Sequence, residues 1–233
     1  MELKINDLTK QYASKTAIAH LSCTLTPGII GLLGANGAGK STLMRMICGV
    51  MKPTSGSIAL NQYAVEDKEY RNLIGYLPQD FGYYPEFTGM EFLLYVAALK
   101  GLDRQTARVR SKELLEQVNL EKDANKKIKT YSGGMKRRLG IAQTLLNYPK
   151  LIVLDEPTAG LDPKERVRFR HIFEKLGKDS IVLLSTHIVS DVEKCADRIL
   201  IIKDGQKVFD GTEEETGKDL ETLYLDIFGG EEE

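Results

Sequence analysis

The run Gly34-Ala35-Asn36-Gly37-Ala38-Gly39-Lys40-Ser41 satisfies the pattern G-x-x-x-x-G-K-[ST] at every position. The chemistry this pattern serves is phosphate binding. Glycines let a loop wrap closely, so that successive backbone N–H groups converge on phosphate oxygens. The run follows the apolar stretch Gly28–Leu33 and precedes a helical pattern from Thr42 to Val50. A loop between strand and helix adds the positive end of the helix to the attraction. Lys40 is expected to reach the β- and γ-phosphates of a nucleotide and Ser41 to ligate magnesium, with Thr42 completing the binding run. The plain alternative is a glycine-rich turn, and the strand-to-helix context weighs against it.

A second pair of residues could act on that phosphate. Leu151 to Glu156 (LIVLDE) reads as a buried strand carrying Asp155 and Glu156 out at its carboxyl end, where open α/β sheets bind ligands. Asp155 is expected to hold the magnesium, directly or through water. Glu156 is placed to polarise a water attacking the γ-phosphate. Alone, such a run is more often a strand ending in solvated acids; beside a complete phosphate loop the catalytic reading takes precedence. Cysteine offers nothing comparable, because Cys23, Cys48 and Cys195 form no ligand pair at zinc spacing with His20, His171 or His187.

The elements that must position these groups are legible as apolar runs bounded by turn residues. Gly28–Leu33, Leu151–Leu154, Ile181–Leu184 and Ile199–Ile202 read as buried strands. Asp204-Gly205 reads as a hairpin turn after the last of them. Asp162 before Pro163, with Glu165 three residues on, marks a helix start. Thr88 and Glu91 form a T-x-x-E capping box before an apolar run. The expected fold is α/β: a P-loop nucleotide-binding core with a mainly parallel sheet, an antiparallel β portion and an inserted helical subdomain. We divide the chain into a core of 1–87 and 149–212, a helical subdomain of 88–148 and an acidic C-terminal helix of 213–233. Leu220, Leu223, Tyr224, Ile227 and Phe228 are spaced as the docked face of that helix.

Composition excludes several classes. The chain has 233 residues, 32 basic and 33 acidic, with 42% hydrophobic and 28% charged residues, as in ordinary globular proteins. From Glu213 onward nine acids face one lysine, so the preceding part carries 31 basic against 24 acidic residues. The longest apolar run, Phe92–Leu99, is eight residues, against the roughly 20 a membrane-spanning helix needs. The first residues show no hydrophobic signal core, and three scattered cysteines fit a reduced, cytoplasmic compartment.

Tyr131-Ser132-Gly133-Gly134-Met135 resembles the LSGGQ signature of the ATP-binding subunits of ATP-binding cassette (ABC) transporters, with Tyr and Met at its ends. Ser132, Gly133 and Gly134 would open a helix running to about Asn147 and present a second helix N-terminus to phosphate. Other positions match in the family's order. Tyr12 resembles the aromatic residue that stacks on adenine. Gln79 is similar to the glutamine that senses magnesium and attacking water, and His187 to the switch histidine that contacts the γ-phosphate. Asp162 resembles a dimer-contacting aspartate, and it is equally placed to be only a helix cap. The resemblance, from Tyr12 to His187, implies an ATPase using ATP and Mg²⁺. It implies a head-to-tail pair, identical or not, that sandwiches two ATPs between one chain's phosphate loop and the other's signature. It also implies a separate multispanning permease, and a peripheral location on the cytoplasmic side of the membrane.

Phe81–Phe87 holds four of the chain's 17 aromatic residues in seven positions. It reads either as a solvated docking loop for the permease or as aromatics folded onto the helical subdomain. The pattern is most similar to the exporter-type branch. The competing reading is a soluble ABC-type ATPase acting on nucleic acid or ribosomes through Lys126-Lys127, Lys136-Arg137-Arg138 and Arg166/Arg168/Arg170. The bland account of those cations is a solvated helix face, and no direct nucleic-acid partner is expected. A P-loop kinase or GTPase would leave Gln79, Ser132-Gly133-Gly134 and His187 as coincidences.

Overall fold

The computed structural model describes residues 1–229. Its centre is a six-stranded sheet in the order β10-β9-β3-β8-β7-β6. These strands are β3 (Gly28–Leu33), β6 (Ile74–Leu77), β7 (Leu151–Asp155), β8 (Ile181–Ser185), β9 (Arg198–Lys203) and β10 (Gln206–Gly211). All neighbours pair in parallel except β9 and β10, the hairpin closed by Asp204 and Gly205 at φ 50° and 75°. The fold is thus the expected α/β nucleotide-binding architecture with a mainly parallel sheet.

The uninterrupted apolar strands have two buried faces, and a period of two sorts their residues between two cores. Ile29, Ile152, Leu154, Val182 and Leu184 face one core together with Phe169 and Phe173 of α6 (Pro163–Gly177). Ile30, Leu151, Val153, Ile181 and Leu183 face the other, under α1 (Lys40–Ile47) and the second sheet. That second sheet is antiparallel, in the order β2-β1-β4-β5. It comprises β1 (Leu3–Tyr12), β2 (Lys15–Leu25), β4 (Ser55–Leu60) and β5 (Tyr63–Ala64).

Between β6 and β7 the chain forms α3 (Gly89–Leu99), α4 (Arg104–Gln117) and α5 (Gly133–Thr144), with α2 (Lys68–Asn72) before β6. The Thr88–Glu91 capping box starts α3, with both of its reciprocal hydrogen bonds formed. Helix α5 lies close enough to β6 that a Cβ on Gly75 would sit 2.3 Å from the Thr144 carbonyl oxygen, so only glycine fits there. This helix ends at Thr144, short of the expected Asn147, whose Nδ2 instead donates to the Asn72 and Ile74 carbonyls.

The acidic segment differs from expectation. It forms two short helices, α8 (Glu213–Thr216) and α9 (Leu220–Phe228), because Gly217 takes a left-handed conformation and Asp219 caps a fresh start. Leu220 is fully buried, and Leu223, Ile227 and Phe228 pack against the core beside α7 (Val189–Glu193). Residues 230–233 of the expected helix lie outside the described residues. No helix among the described residues is long and apolar enough to cross a membrane.

Candidate nucleotide site at the carboxyl ends of the strands

The phosphate loop connects β3 to α1 at the carboxyl edge of the parallel sheet. Gly39, the residue before α1, has φ 113°, and a Cβ there would lie 2.4 Å from the Ala17 carbonyl oxygen. Glycine is therefore required for both conformation and space. Lys40 is buried, and its Nζ donates to the carbonyls of Gly34 (2.6 Å) and Ala35 (3.1 Å), arching back over the loop. Burial pushes the Lys40 pKa down, while nearby Glu156 and Asp155 oppose that shift.

Asp155 ends β7 opposite Ser185 of β8, and the Ser185 hydroxyl donates to its Oδ1 at 2.6 Å. Asp155 is buried with this single neutral side-chain donor. Glu156 follows with φ 54°, a conformation that costs a non-glycine residue on the order of 1–3 kcal/mol. Its N–H donates to the Ser185 carbonyl at 3.0 Å, which carries the chain out of the sheet in that conformation. The His187 Nδ1 atom lies 2.9 Å from Glu156 Oε2, at ion-pair distance but out of hydrogen-bond alignment. Oε2 is left buried without a hydrogen-bond partner.

Two clefts meet at these residues. One, of about 340 Å³, is lined by Tyr12, Lys15, Asn36, Gly37, Gly39, Lys40, Ser41, Thr42, Gln79, Asp155 and Glu156. The second, of about 610 Å³, shares Asn36, Gln79 and Glu156 with it and adds Gly133, Arg137, Gly160 and His187. The structure therefore brings together the phosphate loop, the strand-end acids, Tyr12, Gln79 and His187. It leaves Ser132 and Asp162 outside both linings. Ser132 is exposed and caps α5 through Met135 N, while Asp162 caps α6 through Glu165 N at 2.9 Å. Gly133 faces open space. The Tyr12 ring is exposed, its hydroxyl donating to Met51 Sδ at 2.8 Å and Lys10 Nζ lying 5.3 Å from its centroid.

Several expectations change. Arg137 and Arg138 are neither a phosphate patch nor a solvated face. Arg137 is buried against carbonyls, and Arg138 donates to the Val118 and Asn119 carbonyls. Lys126 pairs with Asp123, Lys127 and Lys129 pair with Glu86, and Arg166 lies 3.9 Å from Asp191. Arg137 and Arg138 are thereby withdrawn from the cationic surface a nucleic-acid reading needs, and the exposed Lys126, Lys127 and Lys129 are charge-paired. In the aromatic loop, Phe81, Tyr83 and Phe87 pack against the helical core, Phe81 meeting Phe92 edge-on at 5.6 Å. Tyr84 remains 49% exposed and Tyr95 of α3 39%, their rings 5.4 Å apart. Tyr131 and Met135 turn inward, and the Tyr131 hydroxyl donates to the Asp123 carbonyl at 2.7 Å.

Sequence reasoning missed Lys15, Ser185 and Arg137 at the site. A lysine at the first position of β2 carries no motif, but Ser185 and His187 flank Thr186 at the end of an apolar strand, which was a usable signal. The three cysteines are unpaired, and burial pushes Cys23 and Cys195 up to about 11 and about 12, away from thiolate chemistry.

Comparison with known proteins agrees with this geometry. A family profile described as "ABC transporter" matches residues 18–159. The ABC transporter ATP-binding protein YxlF of Bacillus subtilis (strain 168) is 40% identical over 221 residues, covering 94% of this chain and 74% of that protein. The bacitracin transport ATP-binding protein BcrA of Bacillus licheniformis is 40% identical over 209 residues, covering 88% and 67%. The Nod factor export ATP-binding protein I of Burkholderia pseudomallei (strain 1710b) is 37% identical over 231 residues, covering 95% and 76%. Among solved structures, an ATP-binding subunit of an ABC transporter superimposes with TM-score 0.88 at 30% identity, covering 97% of this chain and 99% of the other. The cassette MJ0796, solved as a dimer in a post-hydrolysis state with ADP and Pi, gives 0.83 at 27% identity, covering 90% and 98%.

Proposed function

This chain belongs to the ABC transporter family of ATP-binding proteins, and from that premise we propose how its residues bind ATP, split it and pass the result to a membrane partner. It is an ATPase subunit. The loop from Gly34 to Thr42 would wrap the phosphates with backbone N–H groups, and Lys40 would exchange its two carbonyl partners for β- and γ-phosphate oxygens. Tyr12 offers an exposed ring for the adenine. The observation that carries the catalytic assignment is Glu156 Oε2, a buried carboxylate oxygen that takes no hydrogen bond and has only the His187 Nδ1 at ion-pair distance, in a cleft shared with the phosphate loop. Such an atom is costly unless a ligand or water completes it. Glu156 would accept the proton of the attacking water, and His187 beside it would contact the γ-phosphate.

The donors also fit magnesium. Ser41, Gln79 and Asp155 supply only oxygen and line one cleft with the phosphate loop, as suits a hard cation. Among the described residues no cluster of three or more His, Cys, Asp or Glu could hold a metal alone. Ser41, Gln79 and Asp155 would hold the ion, which when bound supplies positive charge against the charge developing on the phosphate. In Lys40→Ala, ATP affinity measured by calorimetry should fall at least tenfold, in line with the loss of a charge-assisted contact of about 1.5–3 kcal/mol. Equal affinity would contradict the phosphate-loop assignment.

Exposed Ser132 and Gly133 at the N-terminus of α5 are the surface we assign to the γ-phosphate bound by a second cassette. Two chains arranged head to tail would bury two ATPs, and hydrolysis would release the interface. Relatives whose names specify bacitracin transport and Nod factor export support work in an exporter. A multispanning permease would hold the chain at the cytoplasmic membrane surface, through the exposed Tyr84–Tyr95 pair. Tyr84→Ser with Tyr95→Ser should lower cosedimentation with permease-containing membranes at least tenfold and leave ATP affinity unchanged. Full retention would place the docking surface elsewhere.

A further inference from the structure

The assignments above leave the Arg137 guanidinium without a role, although it is the group that ties the signature helix to the catalytic residues. Arg137 lies five positions after Ser132 on α5 and is 9% exposed. Its Nη1 donates to the carbonyls of Pro78 and Gln79, each at 3.0 Å. Its Nη2 donates to the Glu156 carbonyl at 2.7 Å and also to the Asp155 carbonyl. One planar group thus gathers four backbone oxygens from two loops. Strands β6 and β7 pair in parallel as far as Leu77 and Leu154, after which their chains diverge toward Gln79 and Glu156. Arg137 fills that fork.

The choice of residue is informative. Burying a cation among neutral carbonyls sacrifices hydration that an apolar residue would not lose. An apolar residue, however, would take this donor from four carbonyls, of which that of Glu156 also accepts from the Ala159 N–H at 3.2 Å, and the Nε atom of Arg137 is itself buried without a partner. Stability alone is a weak reason for this arrangement. The guanidinium supplies donors in a fixed plane, which the single ammonium of lysine cannot reproduce. Three of its four acceptors, the carbonyls of Gln79, Asp155 and Glu156, belong to residues whose side chains must face magnesium and the attacking water.

We propose that Arg137 is a positioning residue that transmits engagement of the α5 N-terminus to the backbones of Gln79 and Glu156, setting the geometry of the attacking water. The inference rests on the roles given above to Glu156 and Gln79. Contact at Ser132 would move α5, and Arg137, five positions along the helix, would carry that displacement to both chain segments. ATP binding itself is left to Lys40 and the phosphate loop, so the effect belongs to turnover and not to affinity.

The test uses the full chain with Arg137→Gln, Arg137→Lys and Gln79→Ala, singly and as the Arg137→Gln/Gln79→Ala double variant. Steady-state phosphate release, ATP binding by calorimetry and thermal unfolding are measured together. Arg137→Gln should lower kcat 10–100-fold with KM and ATP affinity within threefold, and Arg137→Lys should lie between it and the parent. Gln79→Ala should cost at least tenfold in the parent but under threefold in Arg137→Gln, because the two act as one unit. Either a kcat within twofold of the parent in folded Arg137→Gln or full additivity of the two substitutions overturns the proposal. Should Arg137→Gln not fold, the same comparisons are read from Arg137→Lys. An unchanged kcat in Glu156→Gln would instead overturn the underlying assignment, so the two failures are distinguishable.

Discussion

Glu156→Gln is expected to lower ATP turnover by roughly 10²–10⁴-fold, the scale of a lost general base, while ATP affinity stays within about threefold. The substitution is nearly isosteric. It leaves the Glu156 backbone in its left-handed conformation and keeps the carbonyl that accepts from Arg137. What disappears is the ability to take a proton at Oε2, the buried atom that has no hydrogen-bond donor. Affinity should survive because Lys40 and the phosphate-loop N–H groups are untouched. Phosphate release measured beside calorimetry separates the two quantities. Unchanged hydrolysis would remove Glu156 from its role.

Ser132→Arg is expected to abolish ATP-dependent association while sparing ATP binding by the single chain. Ser132 is exposed at the start of α5 and lies outside the lining of the cleft that holds Lys40. An arginine there puts a long side chain where, in the proposed pair, the second cassette's nucleotide would approach. It also removes the side-chain cap to Met135 N, worth about 1 kcal/mol, and places a cation at the positive end of the helix. Ser132→Ala separates these effects: it loses the hydroxyl, with its cap and its proposed phosphate contact, but adds neither bulk nor charge, and should still associate, though more weakly. Light scattering with Glu156→Gln as background reads the result, and normal association of Ser132→Arg would count against a role in trans.

The parts legible in the sequence were those governed by neighbours in the chain. The phosphate loop is a local motif, Thr88 and Asp162 cap helices three residues away, and Asp204-Gly205 closes a hairpin by itself. Continuous apolar runs identified β3, β7, β8 and β9 because both faces of a central parallel strand are buried. The second sheet was expected but not located strand by strand. Its strands mix buried and exposed positions, and β1 pairs with β2 through register shifts after Ile5, Leu8 and Lys10 that break the period of two. Gly217 was read through as part of one helix, although a glycine in an acidic stretch was a usable stop signal.

The site divides in the same way. Lys40, Asp155 and Glu156 carried local signals; their partners did not. Arg137 reaches carbonyls 18 to 59 positions away, so in the sequence it was indistinguishable from its cationic neighbours. The Ser185 contact with Asp155 depends on β7 and β8 pairing in register. The aromatic loop was half understood. Packing drew Phe81, Tyr83 and Phe87 inward, and the exposed pair Tyr84–Tyr95 joins the loop to a residue of α3 that the loop composition could not indicate.

In the function proposed above, this chain holds half of each ATP site and ATP itself joins two halves. Sedimentation of Glu156→Gln in magnesium, with no nucleotide, with ADP and with ATP, is the decisive measurement. A monomer is expected without nucleotide or with ADP and a dimer with ATP, at a protein concentration where calorimetry shows the site filled. A protein that stays monomeric with its ATP site filled, or dimerises equally in all three conditions, would contradict it.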